Sequence, residues 1–251
     1  MLSSQNEQMD LIIDVGNTRV KVAVFENNTL IETVVFDKQE IIHEIKKIIG
    51  KYTIKGAIIS AVATLSEEKI DELHKVLNLL ELNHETKVPF TNKYTTPKTL
   101  GVDRIALASY ANTKYKGKNT LLIDAGTCIT FDFVDKKGTY LGGAISPGLK
   151  MRYQSLHNYT SKLPLLTTDT PKSFIGDNTN NCIHVGVVNG IINEIDGTIN
   201  QYKSKYGDLT VVLTGGDTIF LAKQLKNYIF ANPNSVLEGL HEILIYNRAD
   251  D

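Results

Sequence analysis

Two aspartates stand in matched settings along this chain. Asp14 closes a strand-like run in "LIIDVGNTRVKVAVFE" and is followed by Gly16, Asn17 and Thr18. Asp124 closes another in "LLIDAGTCITFDFV" and is followed by Gly126 and Thr127. A glycine lets the backbone turn sharply and bring N–H groups close to a ligand. Short amide or hydroxyl side chains at the same turn add donors suited to phosphate oxygens. An aspartate beside phosphate repels it unless a cation lies between them, so Asp14 at such a turn implies magnesium, held directly or through water. A single Asp-x-Gly would read as an ordinary β-turn. Two copies at equivalent places favour a pair of phosphate-gripping hairpins. The chain lacks G-x-x-x-x-G-K-[ST] and G-x-G-x-x-G, so neither a P-loop nor a dinucleotide fold is expected.

Three further stretches bear on chemistry. In "TTPKTLGVDRIALAS", Asp103 and Arg104 are adjacent at a helix start just after Gly101. A carboxylate there can accept a hydroxyl proton, and a guanidinium can bind a carboxylate or phosphate through two bonds. The same pair also reads as an acidic helix start with a surface arginine, and spacing alone leaves both open. "VVLTGGDTIFLAKQL" ends a strand on Gly215 and Gly216, where backbone can approach a flat ligand such as adenine. In "YLGGAISPGLKM", glycines surround Pro147, and a helix is expected to begin near it. Tyr94 either lines a pocket or packs under its loop. Thr179 precedes a long helix and reads as a cap. Cys128 reads as a packing residue, Asp132 as structural or supporting, and Gly186 with Gly190 as a close helix contact within or between chains.

The elements that position these residues alternate between strands and helices. Strands are expected at residues 11–14 and 20–26, in "LIETVVFD" and in the apolar run "KGAIISAVA". Helices are expected in "EIIHEIKKIIGKY", "SEEKIDELHKVLNLLELN" and "VDRIALASYANTKY". The pattern then restarts with three strands from "NTLLIDAGT", a single long helix over "NCIHVGVVNGIINEIDGTINQYKSKY", the strand "LTVVLTGGD" and a following helix. Asp14 and Asp124 occupy equivalent points, which makes this a domain-scale internal repeat. The expected domains are 1–116 and 117–251, divided in the polar stretch "TKYKGKN".

Composition bounds the rest. The 251 residues carry 27 Lys+Arg against 28 Asp+Glu, so no basic field exists to draw nucleic acid. No run approaches the ~20 apolar residues of a membrane span, and a membrane partner is not expected. The polar start "MLSSQNEQMD" reads as a short disordered lead with no targeting signal, and Met9 offers a second start. Two cysteines and six histidines at no metal-ligand spacing suit a reducing cytoplasm and argue against zinc.

The ordered set "DVGNTRVK", "PKTLGVDR", "DAGTCITFD", "GGAISPGLKM" and "LTGGD" resembles the type III pantothenate kinase family. The resemblance implies an α/β chain of two RNase-H-like lobes, as in the actin, hexokinase and acetate kinase superfamily, with a nucleotide cleft between them. It implies ATP-dependent phosphorylation of pantothenate to 4′-phosphopantothenate in coenzyme A biosynthesis. ATP would meet Asp14, Val15, Gly16, Asn17, Thr18, Arg19, Val20 and Lys21, with Thr127 from the second hairpin. Pantothenate would meet Tyr94, Gly101, Val102, Asp103, Arg104 and Thr179. Asp103 would be the proton acceptor, and Asp124 would hold a monovalent cation, K⁺ or NH₄⁺, alongside Mg²⁺. A homodimer is the expected assembly. The competing expectations are a kinase for another small hydroxyl or carboxylate acceptor, and a non-catalytic accessory factor; keeping Asp14, Asp103, Arg104, Asp124 and Thr127 argues against the latter.

Overall fold

β1 (Met9–Val15), β2 (Arg19–Glu26) and β3 (Thr29–Asp37) form an antiparallel meander. This is a computed structural model of the chain, describing residues 9–16, 19–61 and 65–248. Asn17, Thr18, residues 62–64 and the polar lead before Met9 lie outside the described residues. After β3 come α1 (Ile41–Lys51), β4 (Ile54–Ala61), α2 (Glu67–His74), β5 (Leu79–Glu81), a short β6 (Thr91–Asn92) and α3 (Val102–Lys114). β4 lies parallel to β1 and β5 parallel to β4, giving the sheet order β3-β2-β1-β4-β5.

The strand sequences explain this sheet. β1 and β4 are almost wholly buried, as expected of strands covered on both faces, and read as unbroken aliphatic runs. Leu11, Ile13, Val22 and Val24 face Ile41, Ile45 and Ile48 of α1. Those isoleucines recur at helical spacing, so one face of α1 supplies the cover. Each fully buried aliphatic side chain contributes roughly 1.5–3 kcal/mol.

The second unit repeats the plan. β7 (Thr120–Ala125), β8 (Cys128–Val134) and β9 (Thr139–Pro147) form its meander. Then follow α4 (Leu149–Asn158), α5 (Thr179–His184), a π-helical turn at Val185–Asn189, α6 (Gly190–Tyr206), β10 (Thr210–Thr214), α7 (Thr218–Ala222) and β11 (Phe230–Ala231). β10 is parallel to β7 and β11 to β10, so these strands run β11-β10-β7-β8-β9, the mirror of the first listing. Leu121, Ile123, Phe131 and Phe133 pack with Val188 of the π-helical turn and with Ile191, Ile195 and Ile199 along α6.

The last helix, α8 (Ser235–Arg248), departs from the expected division at 117–251. The unit comprising Tyr115–Asn234 stops before it, and the chain from Ser235 joins the unit that runs to Lys114. The physical reason lies in its contacts. Gly239 lets α8 approach α3 so closely that a Cβ there would fall 1.9 Å from the Ala106 carbonyl oxygen. His241 stacks on Phe25 at 4.3 Å and lies 3.1 Å from Asp10, while Arg248 donates to both Asp10 oxygens at 3.0 and 2.5 Å. Asp10 sits on β1 with 6% exposure. Burial pushes its carboxyl up, but the hydrogen bonds from His241 and Arg248 and the charge of Arg248 outweigh this and hold it below the usual range.

Other expectations are corrected too. The segment expected as one helix over "SEEKIDELHKVLNLLELN" is α2 followed by β5, because Leu79–Glu81 pair with Ala57–Ile59 at the sheet edge. The single long helix is two helices joined through the π-helical turn. The helix expected near Pro147 starts at Leu149, with Gly148 as its cap, while Pro147 ends β9. Among the described residues no helix is long and apolar enough to cross a membrane.

Candidate functional site

In the first unit, β1 delivers Asp14 to the sheet's end. The β1–β2 register sets Asp14 opposite Lys21, and the β1–β4 register sets it beside Ser60. The Gly16 N–H donates to the Arg19 carbonyl at 3.0 Å and closes the hairpin, and Asn17 and Thr18 lie outside the described residues. Val15 and Val20 are buried and anchor the hairpin, while Arg19 is exposed and Lys21 half-buried. Burial, and then the charge of Asp103, push the Asp14 carboxyl up to about 6, with Lys21 opposing. Ser60 stands near enough to ease part of that rise, but its Oγ closes no hydrogen bond of ordinary geometry.

Asp103 is therefore brought to Asp14 from a distant part of the sequence. It occupies the first turn of α3, where Gly101 offers its carbonyl to the Ile105 N–H at 3.1 Å. Asp103 Oδ1 accepts from the Arg104 N–H at 2.9 Å, which pins the carboxylate at the helix start. Gly101, Val102 and Asp103 are half-buried, whereas Arg104 is 5% exposed. The Arg104 guanidinium lies over the Tyr94 ring, 5.6 Å from its centre. A surface arginine is thus replaced by a buried one stacked on an aromatic face.

In the second unit, β7 delivers Asp124 to the equivalent place. Its register partners are Thr130 on β8 and Thr214 on β10. Gly215, at φ +93°, presses its backbone on this acid: a Cβ there would lie 2.3 Å from Asp124 Oδ1. Only a residue tolerant of the left-handed region and lacking a side chain fits. The Asp217 N–H donates to the Ala125 carbonyl at 2.9 Å, and burial pushes the Asp217 carboxyl up. Thr127 is exposed at the tip of the second hairpin, and its carbonyl accepts from the Gly148 N–H at 3.1 Å.

The remaining candidates sort differently. Asp132 is fully buried and accepts from Thr130 Oγ1 at 2.9 Å and Tyr140 OH at 2.7 Å, so it braces the β8–β9 pair. Cys128 is half-buried and Cys182 exposed, and both are free thiols. Thr179 is the first helical residue of α5 and not its cap; Asn178 caps, accepting from the Asn181 N–H at 3.0 Å. Thr179 lines an open depression with Leu156, Leu163, Cys182, Ile183 and Gly186. Among the described residues, a Cβ at Gly186 would meet nothing within 4 Å and one at Gly190 only Arg152 of α4 at that limit, so neither glycine is required here by a close helix contact. Ser60 and Thr214 carried no assigned role in the sequence. The one signal for Ser60 was a lone hydroxyl inside the apolar run "KGAIISAVA".

A family model described as type III pantothenate kinase matches residues 10–201. The chain belongs to the type III pantothenate kinase family. A type III pantothenate kinase of Flavobacterium johnsoniae is 50% identical over 97% of this chain and 100% of its own length. One from Christiangramia forsetii is 48% identical over 96% of this chain and 99% of its own. Among solved structures, a Campylobacter jejuni protein described as a Baf-family transcriptional activator superposes with a TM-score of 0.62 at 20% identity, covering 95% of this chain and 99% of that one. A glucokinase from an Antarctic psychrotroph gives 0.53 at 11% identity, covering 95% and 99%. At such identities these two show the fold alone. This type III pantothenate kinase family member thus has the expected α/β fold, two RNase-H-like lobes of the class shared with sugar kinases.

Proposed function

We infer that this chain transfers the γ-phosphoryl group of ATP to the primary hydroxyl of pantothenate, giving 4′-phosphopantothenate, the first step of coenzyme A biosynthesis. The observation that carries this reading is the 50% identity, end to end, with a named type III pantothenate kinase. The expected enzyme class is a phosphotransferase with an alcohol acceptor.

Each residue then takes a role. Asp103 accepts the hydroxyl proton as oxygen bonds to the γ-phosphorus and the bond to the β–γ bridging oxygen breaks, releasing ADP. Arg104, stacked on Tyr94, pairs with the pantothenate carboxylate, and Gly101, Val102 and Thr179 complete the acceptor's contacts. Asp14 through Lys21 hold ATP, with Thr127 joining from the second hairpin. Positioning and electrostatics supply most of the acceleration in such transfers.

The donor sets suit two cations. Asp14 and Asp103 repel each other when both are ionised, which is the situation a hydrated Mg²⁺ relieves. Asp124, beside the Thr214 hydroxyl, offers oxygen ligands to K⁺ or NH₄⁺. When bound, these ions neutralise charge on the phosphates. The reading includes a homodimer acting in the cytoplasm, with the exposed Gly186 of the π-turn available to a second copy.

The test is ADP release from Mg·ATP with K⁺ present, measured across pantothenate, sugars and acetate. Release dependent on pantothenate supports the reading. Release that is equal with every acceptor, or that follows a sugar or acetate, overturns it.

A further inference from the structure

Among the described residues, two buried side-chain polar atoms have no hydrogen-bond partner: Ser60 Oγ and Thr214 Oγ1. Their exposures are 0% and 1%. They occupy the same place in the two units. Ser60 lies on β4, in parallel register with Asp14 on β1. Thr214 lies on β10, in parallel register with Asp124 on β7. In each sheet the parallel neighbour of the first strand therefore sets a hydroxyl beside the acid that the first strand delivers. Residues in register on neighbouring strands project to the same face, so each hydroxyl and its acid share one side of the sheet.

An orphaned buried hydroxyl is destabilising, because it gives up its hydrogen bonds to water and gains none in return. Such groups are rare in native structures and ask for a physical explanation. Here they recur at equivalent points of a duplicated fold, each beside an acid assigned to a cation. A hydroxyl suits the task, since it turns freely and has one proton to donate and lone pairs to accept with.

We propose that Ser60 and Thr214 are positioning residues for the two cation-holding acids: when nucleotide and ions load, each hydroxyl donates to the carboxylate beside it and fixes the orientation in which that carboxylate acts. The proposal rests on the reading of Asp14 and Asp124 given above. It leaves Thr214 out of bonding geometry in the empty protein, with Ser60 only near enough to Asp14 to ease its raised carboxyl, and brings both into full bonding geometry in the loaded protein. Their stabilising effect thus belongs to ligand binding and not to folding.

The experiment measures two quantities on the full chain and on Ser60→Ala, Thr214→Val and Thr214→Ser. One is the Tm without nucleotide, Mg²⁺ or K⁺. The other is the Kd for Mg·ADP by calorimetry, in K⁺ and in Na⁺. Ser60→Ala and Thr214→Val should keep or raise the ligand-free Tm, because an orphaned polar group is removed. Ser60→Ala should weaken Mg·ADP binding roughly 5- to 30-fold, the equivalent of one modest hydrogen bond. Thr214→Val should lose the affinity advantage of K⁺ over Na⁺, and Thr214→Ser should retain it. A fall in ligand-free Tm in the hydroxyl-free variants overturns the proposal whatever the affinities, since the hydroxyls would then already be bonded. Wild-type affinity in Ser60→Ala, or an intact K⁺ preference in Thr214→Val, overturns it as well. A wild-type protein that binds Mg·ADP but ignores pantothenate counts against the proposed function and leaves this test standing, because nucleotide binding is what it reads.

Discussion

Asp103, at the start of α3, lies within electrostatic reach of Asp14, at the end of β1, and its charge opposes the ionisation of Asp14. Burial is the larger cause and Asp103 the second, and together they raise Asp14 to about 6. The nearness of these acids is the feature of the first unit that most resembles a reaction centre.

The raised carboxyl has a stability consequence of definite sign. A carboxyl that binds its proton more tightly folded than unfolded makes the folded state lose stability as pH rises from the ordinary value of 3.8 through about 6. Asp14→Asn removes that penalty. The variant should therefore gain on the wild type by roughly 1–3 kcal/mol at pH 8 and show little gain at pH 4. Urea midpoints at the two pH values, without Mg²⁺ or nucleotide, check this. An equal difference at both would show that Asp14 titrates normally.

Asp10 has the opposite sign. Its carboxyl is held low, so its stabilising effect is present above the unfolded value of 3.8 and disappears as pH falls below it. Asp10→Asn should cost about 1–3 kcal/mol at pH 7, because His241 and Arg248 lose a charged partner that ties α8 to β1. The cost should shrink at pH 3. Chemical denaturation at both values reads it, and a constant cost would remove the charge from the explanation.

Gly239→Ala should separate α8 from α3, since the added carbon would meet the Ala106 carbonyl. A loss of about 1–3 kcal/mol is expected from overpacking. Because α3 carries Asp103, kcat should fall further than the lost stability explains when assayed well below Tm. An unchanged Tm would contradict the packing described.

Much of this was legible in the sequence, and the failures have physical causes. β1, β2, β7 and β8 announce themselves because β-branched residues run straight to a glycine turn, and the chemistry sits at that turn. β5 was hidden because Leu79 and Leu80 extend the helical spacing of α2, and only pairing with β4 makes them a strand. The contribution of α8 to the first unit was hidden because it depends on Asp10, Phe25 and Ala106, far away in sequence. Arg104 read equally well as a surface residue, since its burial against Tyr94 is a tertiary fact. Thr179 reads as the cap as readily as Asn178, since either side chain can cap and the choice turns on one residue of register.

The cation reading gives its own prediction. Replacing K⁺ with Na⁺ should lower the wild-type rate, and in Asp124→Asn the two salts should give equal rates. Steady-state assays at matched ionic strength decide it. Wild-type indifference to the swap would take Asp124 out of the cation role.

The central claim is that Asp103 accepts the proton of pantothenate's hydroxyl, and one comparison tests it most directly: formation of 4′-phosphopantothenate by the wild type and by Asp103→Asn, followed by mass spectrometry with Mg·ATP and K⁺. The variant should fold normally by circular dichroism and lose about 10²–10⁴ in kcat. A folded variant that makes product at the wild-type rate, or a wild type that makes none, would contradict the account.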